Sequence, residues 1–179
     1  MNPSRLDLEA DSWAFALRLY AQPGVADACL RLQDEAGIDV MMFLMIVFAA
    51  VRHRVLLTPS EIGALDDVCR PWREQIVQPL RAIRGRLKAG PLPAPNNETE
   101  PFRSTIKAAE LAAERLQNRL LAERLPLRPP ERDTLVPEDL RSVLRSVVML
   151  ALERRPGKPL SDLHAAIDAI VDGAMHDPR

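Results

Sequence analysis

The chain has 179 residues, of which 47% are hydrophobic and 27% charged, so its composition is that of a folded protein rather than a disordered one. A net charge of −1 and an aromatic content of 4% disfavour nucleic-acid binding, because they offer neither overall attraction nor many stacking side chains. Two cysteines without an export signal are typical of a reduced, cytoplasmic protein, although their spacing leaves open whether Cys29 and Cys69 lie near each other.

The first two predicted helices are short. Residues 12–21 form an apolar segment for which Asp11 or Ser12 supplies the N-cap. Its apolar side chains share one broad face, formed by Trp13, Phe15, Leu17, Leu19 and Tyr20. A second helix is predicted over residues 25–36 and ends at Gly37, because glycine is favoured in the left-handed position after a helix.

The most apolar stretch of the chain runs from Val40 to Val51 and has no charged, hydroxyl or amide side chain. A helix that is apolar on every side must be enclosed by other elements. At 1.5 Å per residue it would be about 18 Å long, whereas the hydrocarbon layer of a membrane is roughly 30 Å thick. The stretch therefore predicts a buried core helix, extending to about His53, and no membrane span.

Prolines mark the next two predicted helices. Thr58 and Glu61 have the spacing of a capping box, with a proline between them at the first helical position. Pro71 is expected to start a separate helix over residues 72–88. Pro79 should bend that helix, because proline has no N–H to donate to the preceding turn.

The second half of the chain begins with a proline-rich loop over residues 89–101, which we expect to be exposed and mobile. The longest predicted helix follows over residues 102–125. A second proline-rich stretch, residues 126–137, separates it from two amphipathic helices predicted over residues 138–155 and 160–175.

These elements predict an all-α fold, namely a compact bundle of about eight helices around one buried apolar helix. We expect residues 1–89 to form a helical core, residues 90–101 a loop, and residues 102–179 further helices packed on the same core. The latter are either part of one domain or a second subdomain.

Two segments resemble a known family. They are W-A-F-A-L-R-L-Y-A-Q-P-G-V, which starts at Trp13, and P-W-R-E-Q-I-V-Q-P-L-R, which starts at Pro71. The chain resembles, over about residues 13–125, a proteobacterial family of small helical proteins catalogued as a domain of unknown function. The resemblance implies an all-helical cytoplasmic protein and assigns no activity and no catalytic residue.

No catalytic, metal-binding or cofactor-binding residue is predicted. The three histidines of the chain are His53, His164 and His176. They are isolated in sequence and do not have the spacing of metal ligands. The pairs Glu110/Glu114 and Asp168/Asp172 are interpreted as solvated helix faces. The chain has neither a nucleophile with a nearby base nor a glycine-rich phosphate loop, so an enzyme is disfavoured.

Basic residues after Pro71 form the candidate partner surface: Arg73, Arg81, Arg84, Arg86 and Lys88. Such a cluster favours an anion or an acidic protein. The alternative is that these side chains are solvated or pair with acidic residues near the start of the chain. If they bind a partner, reversing Arg81, Arg84 and Arg86 to glutamate should abolish binding and leave thermal stability almost unchanged.

The core helix contains the candidate apolar pocket, formed by Met41, Met42, Met45 and Phe48. Methionine is flexible and polarizable, so it lines adaptable apolar pockets but also fills gaps in ordinary cores. The helix over residues 102–125 has more apolar positions than one core contact requires, and a homodimer through it is a further hypothesis.

Two functional hypotheses follow from the sequence. The first is a non-enzymatic cytoplasmic protein that acts as a protein-interaction or regulatory module for an unknown partner. The alternative is a carrier or sensor of a small apolar ligand, such as an acyl, isoprenoid or quinone-like molecule.

Overall fold

The structure, a computed structural model, describes residues 5–130, 133–154 and 159–176. The described residues form α-helices and one π-helical segment, Arg73–Val77, and contain no strand. The α-helices, in chain order, are α1 (Arg5–Tyr20), α2 (Val25–Ala36), α3 (Val40–His53), α4 (Pro59–Trp72), α5 (Gln78–Arg86), α6 (Thr99–Arg124), α7 (Pro137–Arg154) and α8 (Leu160–Met175). The prediction of an all-α fold of about eight helices is confirmed. Arg155 and positions 131–132, which fall within predicted segments, lie outside the described residues.

Helix α3 is the centre of the hydrophobic core. Every residue from Met42 to Ala50 is buried, and α1, α2, α6, α7 and α8 all contact the helix. Asp39 caps its first turn, because the Asp39 Oδ1 atom accepts a hydrogen bond from the Met42 backbone N–H at 3.2 Å. None of the described helices combines the length and the apolar composition needed to cross a membrane.

The ends of α2 and α4 follow the predicted capping chemistry. Gly37 has a φ of 70° and donates its backbone N–H to α2 carbonyls, as a C-terminal glycine should. Thr58 and Glu61 form a reciprocal capping box, in which the Thr58 N–H donates to the Glu61 carboxylate at 2.8 Å.

Helix α1 starts earlier than predicted. Ser12 is not an N-cap but lies inside the helix, buried against α6. Its hydroxyl accepts a hydrogen bond from Asn118 Nδ2 at 3.1 Å, and the same Nδ2 donates to the Glu9 carbonyl at 3.1 Å. A polar contact with a residue far along the chain therefore explains Ser12 better than a local cap.

Pro71 does not start a new helix, contrary to prediction. Helix α4 continues through Pro71 to Trp72, and the π-helical segment joins it directly to α5. In that segment the Gln78 N–H donates to the Arg73 carbonyl, which makes one wide turn immediately before Pro79. The wide turn accommodates a proline that cannot donate a hydrogen bond, so the helical path is not interrupted.

Helix α6 begins three residues before its predicted start, within the proline-rich stretch. The Asn96 side-chain oxygen accepts the Glu98 N–H at 2.9 Å and the Thr99 N–H at 2.7 Å, which satisfies donors at the start of the helix. Downstream, α6 contacts α1, α3, α4 and α5, and α8 lies against α2 and α7. The division of the chain into a core, a loop and C-terminal helices stays a prediction.

Truncating a side chain of α3 tests the central role of this helix. Ile46 is fully buried, and Ile46→Ala should lower the free energy of unfolding by about 2–5 kcal/mol, because it leaves a cavity in the core. Met149, on α7, is exposed, so Met149→Ala should change that free energy by less than about 0.5 kcal/mol. Urea denaturation of both variants measures the difference, and equal values would contradict the assigned core.

Candidate functional site

The helices leave an open groove between α1, α2, α3, α5 and α6, with a volume of about 390 Å³. Apolar side chains from four of these helices line it: Trp13, Leu17, Tyr20, Leu30, Met41, Leu44 and Leu111. Three of these leucines are half exposed, with 54% of Leu17, 45% of Leu30 and 51% of Leu111 accessible to solvent. An apolar surface that converges on one concavity and is rimmed by polar groups is typical of a binding site.

The apolar face predicted for α1 is divided between the core and this groove. Phe15 and Leu19 are fully buried, and Phe15 contacts Phe48 edge to face, with 5.6 Å between ring centroids. Trp13, Leu17 and Tyr20 point instead toward the groove. One helix therefore contributes to stability through some of its apolar residues and forms a surface with the others.

Ion pairs between α5 and α6 form the charged wall of the groove. Arg81 donates from Nε to Oε1 of Glu110 at 2.9 Å and from Nη2 to Oε1 of Glu114 at 2.6 Å. Its Nη1 donates to the Gln33 side-chain oxygen at 2.6 Å. Arg84 donates to both carboxylate oxygens of Glu110, at 3.2 Å from Nη2 and also from Nε. Helix α5 has no buried residue, so these bonds are its main polar attachment to α6.

The two glutamates of this wall have opposite pKa shifts. Burial raises the pKa of Glu110, but hydrogen bonds from Arg84 and Arg81 outweigh burial and leave the pKa below its usual value. Burial dominates at Glu114 and raises its pKa, although Arg81 acts in the opposite direction. The Arg84 pKa is raised, chiefly by its hydrogen bond to Glu110. Glu110, which accepts hydrogen bonds from both arginines, is thus the main acceptor of the wall.

The interpretation of Glu110 and Glu114 as a solvated pair is wrong. Glu110 is buried and Glu114 is partly buried, and both are bound by arginines of α5. Arg81 and Arg84 pair with α6 and not with the acidic residues near the start of the chain, whereas Arg73 does pair with one of those residues, Asp39, at 3.0 Å. Reversing Arg81 and Arg84 would therefore place two carboxylates beside Glu110, and thermal stability should fall rather than stay unchanged.

The five residues of the candidate partner surface have three different environments. Arg81 and Arg84 line the groove, as just described. Arg86 and Lys88 are exposed and form no ion pair with any described residue. Arg73 lies on the π-helical segment and is largely enclosed by acidic and polar groups.

Arg73 is the centre of a polar network that joins four helices. Its Nη1 atom donates to Asp39 Oδ2 at 3.0 Å and to Asp66 Oδ1 at 2.7 Å. The buried Gln117 of α6 donates to the same Asp39 oxygen at 2.5 Å, and Arg154 of α7 pairs with Asp66. Because both carboxylates are already engaged, Arg73 positions the start of α3 against α4, α6 and α7.

The four residues of the candidate apolar pocket are divided between the core and the groove. Met42, Met45 and Phe48 are buried in the core, whereas Met41 is only partly buried and lines the groove. The structure therefore brings Met41 together with Arg81 and Arg84, which the sequence analysis had assigned to two different features.

The described part of the chain contains no metal-binding cluster and no reactive thiol. No group of three or more His, Cys, Asp or Glu side chains there could hold a metal ion. Cys29 and Cys69 are free and buried, and burial raises the pKa of each thiol to about 12.

Sequence reasoning did not identify several groove residues, namely Leu17, Leu30, Lys107 and Leu111, as functional. Lys107 is exposed at the groove and forms no ion pair with a described residue. Helical periodicity marks all three leucines as apolar but does not show which of them the fold leaves uncovered. The one signal in the sequence was that the helix over residues 102–125 has more apolar positions than one core contact requires.

Fold and groove together define an all-helical protein with an open amphipathic groove on its surface. The chain belongs to the protein family of unknown function DUF2390, whose family model matches residues 11–121. The matched range contains every residue that lines the groove, and the predicted resemblance to a domain of unknown function is confirmed. No curated protein and no solved structure matches the chain significantly.

A matched pair of substitutions tests the charged wall. Arg84→Gln should lower the free energy of unfolding by about 1.5–3 kcal/mol, because the buried Glu110 loses a charged hydrogen-bond donor. Arg86→Gln, two residues away, removes an exposed side chain without an ion pair and should change that free energy by less than about 0.5 kcal/mol. Urea denaturation at low salt compares them, and equal losses would count against the wall.

The pKa of Glu110 predicts how stability depends on pH. A carboxylate whose pKa is lowered on folding stabilises the protein above its unfolded value, here about 4.5, and loses this effect as the pH falls through the lower folded value. The stability difference between the wild type and Glu110→Gln should therefore be largest near neutral pH and shrink below pH 4.5. Glu98→Gln, an exposed carboxylate, is the control. Parallel stability curves for wild type and Glu110→Gln would show that Glu110 does not titrate as described.

Proposed function

We propose that the protein is a non-enzymatic protein-interaction module that binds an amphipathic helical segment of a partner protein in the groove. The observation that carries this proposal is the convergence of half-exposed leucines from α1, α2 and α6 on one concavity. Singly exposed leucines are ordinary at protein surfaces, but Leu17, Leu30 and Leu111 line one groove together.

The openness of the groove favours a helix over a small molecule. Pockets for small ligands commonly enclose roughly 70–90% of the ligand surface. This groove, in contrast, exposes its own leucines to solvent. An amphipathic helix has one apolar face to bury and a polar face that remains in water. Helix-in-groove binding therefore fits this groove, because the leucines would cover the apolar face of the bound helix and leave its polar face in water.

The charges at the groove favour an acidic partner. Arg81 and Arg84 are neutralised by Glu110 and Glu114, but Lys107 has no ion pair with a described residue. Arg86 and Lys88, also without such ion pairs, continue the basic character along α5 and the residues after it. A carboxylate on the partner helix would meet Lys107, and the surrounding positive charge would speed association.

We place this interaction in the cytoplasm. Two buried thiols without a disulfide support that compartment, because free cysteines persist where the environment is reducing. Carriage of a small apolar ligand is the second candidate function. It is favoured by the volume of about 390 Å³, which is within the range of ligand pockets, and by Met41 in the groove lining.

Trp13 provides the readout for a binding test, because it lines the groove and only one other tryptophan is present. Two synthetic amphipathic helices of equal length and apolar content are titrated, one with an acidic and one with a basic polar face. We expect only the acidic peptide to change the Trp13 fluorescence. Lys107→Glu should weaken its binding about tenfold, which corresponds to about 1.4 kcal/mol.

Variants locate the binding. Leu30→Glu should abolish it, whereas Met149→Glu, at an exposed position of α7, should not affect it. Trp13→Phe should remove the signal. Equal binding of both peptides, or binding that survives Leu30→Glu, would contradict the proposal. A fatty acid that saturates the Trp13 signal while neither peptide does would favour the carrier instead.

A further inference from the structure

Helix α6 has a second, partly apolar surface that faces away from the core. The positions on this face follow each other at alternating intervals of three and four residues, and all are exposed: Phe102, Thr105, Ala109, Ala112, Leu116, Arg119 and Glu123. We call this set the outer stripe. Its two large apolar members are half exposed, with 54% of Phe102 and 53% of Leu116 accessible. This spacing is the one with which helices pack in coiled coils.

From this arrangement we infer that a second copy of the chain packs along the outer stripe, with the two α6 helices antiparallel and crossing at Ala109. In a twofold dimer, if residue i contacts residue j, residue j also contacts residue i. A crossing at Ala109 places Phe102 of each copy against Leu116 of the other. Ala109 then lies at the twofold axis, where its small side chain permits close approach.

Charge selects the antiparallel orientation. On the side of the outer stripe, Glu98 is the N-cap of α6, and the second half of the helix carries Arg115, Arg119 and Arg124 together with Glu123, which pairs with Arg119. An antiparallel pair brings Glu98 of each helix beside the mainly basic end of the other. A parallel pair would instead place like charges together, which disfavours it.

Two of these charges have no counterpart among the described residues. The Glu98 side chain, at the N-cap of α6, and the Arg124 side chain, at its last residue, are exposed and form no ion pair there. In the antiparallel pair they come within about one helical turn of each other across the interface. The 26 residues of α6 provide about 39 Å of helix for such contacts. The outer stripe is separate from the groove, so a dimer leaves the groove open.

Single cysteines on the outer stripe test the geometry. In the antiparallel pair Ala109→Cys faces its own copy across the axis, within the Cα separation of about 4.4–6.8 Å that a disulfide requires. Mild oxidation should convert this variant to a covalent species of twice the 20.0 kDa chain mass on a denaturing gel, reversed by reductant. The native thiols should not interfere, because both are buried and have raised pKa values.

Two further cysteine variants distinguish the alternatives. Ala112→Cys should form no disulfide cross-link after oxidation, because antiparallel packing places Ala112 away from its copy, whereas parallel packing would cross-link both positions. Ala165→Cys, at an exposed position of α8, controls for random collision. Equal cross-linking at positions 109 and 112 would overturn the antiparallel arrangement, and equal cross-linking at 109 and 165 would overturn the interface.

Sedimentation equilibrium provides an independent measurement on the unmodified chain. Leu116→Glu should raise the dimer dissociation constant at least tenfold, and circular dichroism checks that its helix content is unchanged. Arg119→Glu should also weaken the dimer, and Glu98→Arg in the same chain should restore it, because the crossing at Ala109 places Glu98 of each copy beside Arg119 of the other. A wild type that sediments as a monomer at high micromolar concentration would overturn the inference.

Discussion

The apolar character of α3 on all its sides is the constraint on which the rest of the fold depends. Because α3 is apolar on every side, α1, α2, α6, α7 and α8 all contact it, and only its ends, including Met41 at the groove, stay partly exposed. Each of these helices turns part of its apolar surface toward the centre. What remains on α1, α2 and α6, namely Leu17, Leu30 and Leu111, is left uncovered by the described helices and forms the groove.

The attachment of α5 follows a different principle. This helix has no fully buried side chain and is held against α6 by arginine–glutamate pairs. Ion pairs that remain partly accessible are weakened by salt, whereas hydrophobic contacts in the core are not. One wall of the groove is therefore electrostatic and sensitive to the medium, while the opposite wall is part of the rigid core. A partner that brings its own charge would act on the more adaptable wall.

Local chemistry was sufficient to predict much of the fold. The length and apolar content of Val40–Val51, the capping box at Thr58 and the glycine after α2 each depend on neighbours in sequence, and the structure agrees with all three. Two of the errors concern distant contacts. Ser12 was taken for a cap because its partner, Asn118, is 106 residues away, and Glu110 was taken as solvated because Arg84 lies on another helix. The groove combines residues of five helices, so no single pattern could reveal it.

The π-helical segment sets the rotation of α5, which follows it directly, about the common helix axis. An α-helix turns by about 100° per residue, and the wide turn at Arg73–Val77 adds a residue to one turn without interrupting the path. The wide turn thus determines the direction in which the Arg81 and Arg84 side chains point. Loss of one residue there would restore an ordinary helix, swing both guanidinium groups away from Glu110 and open the groove on that side. Insertions and deletions in this short stretch are consequently less tolerable than substitutions of the side chains around it.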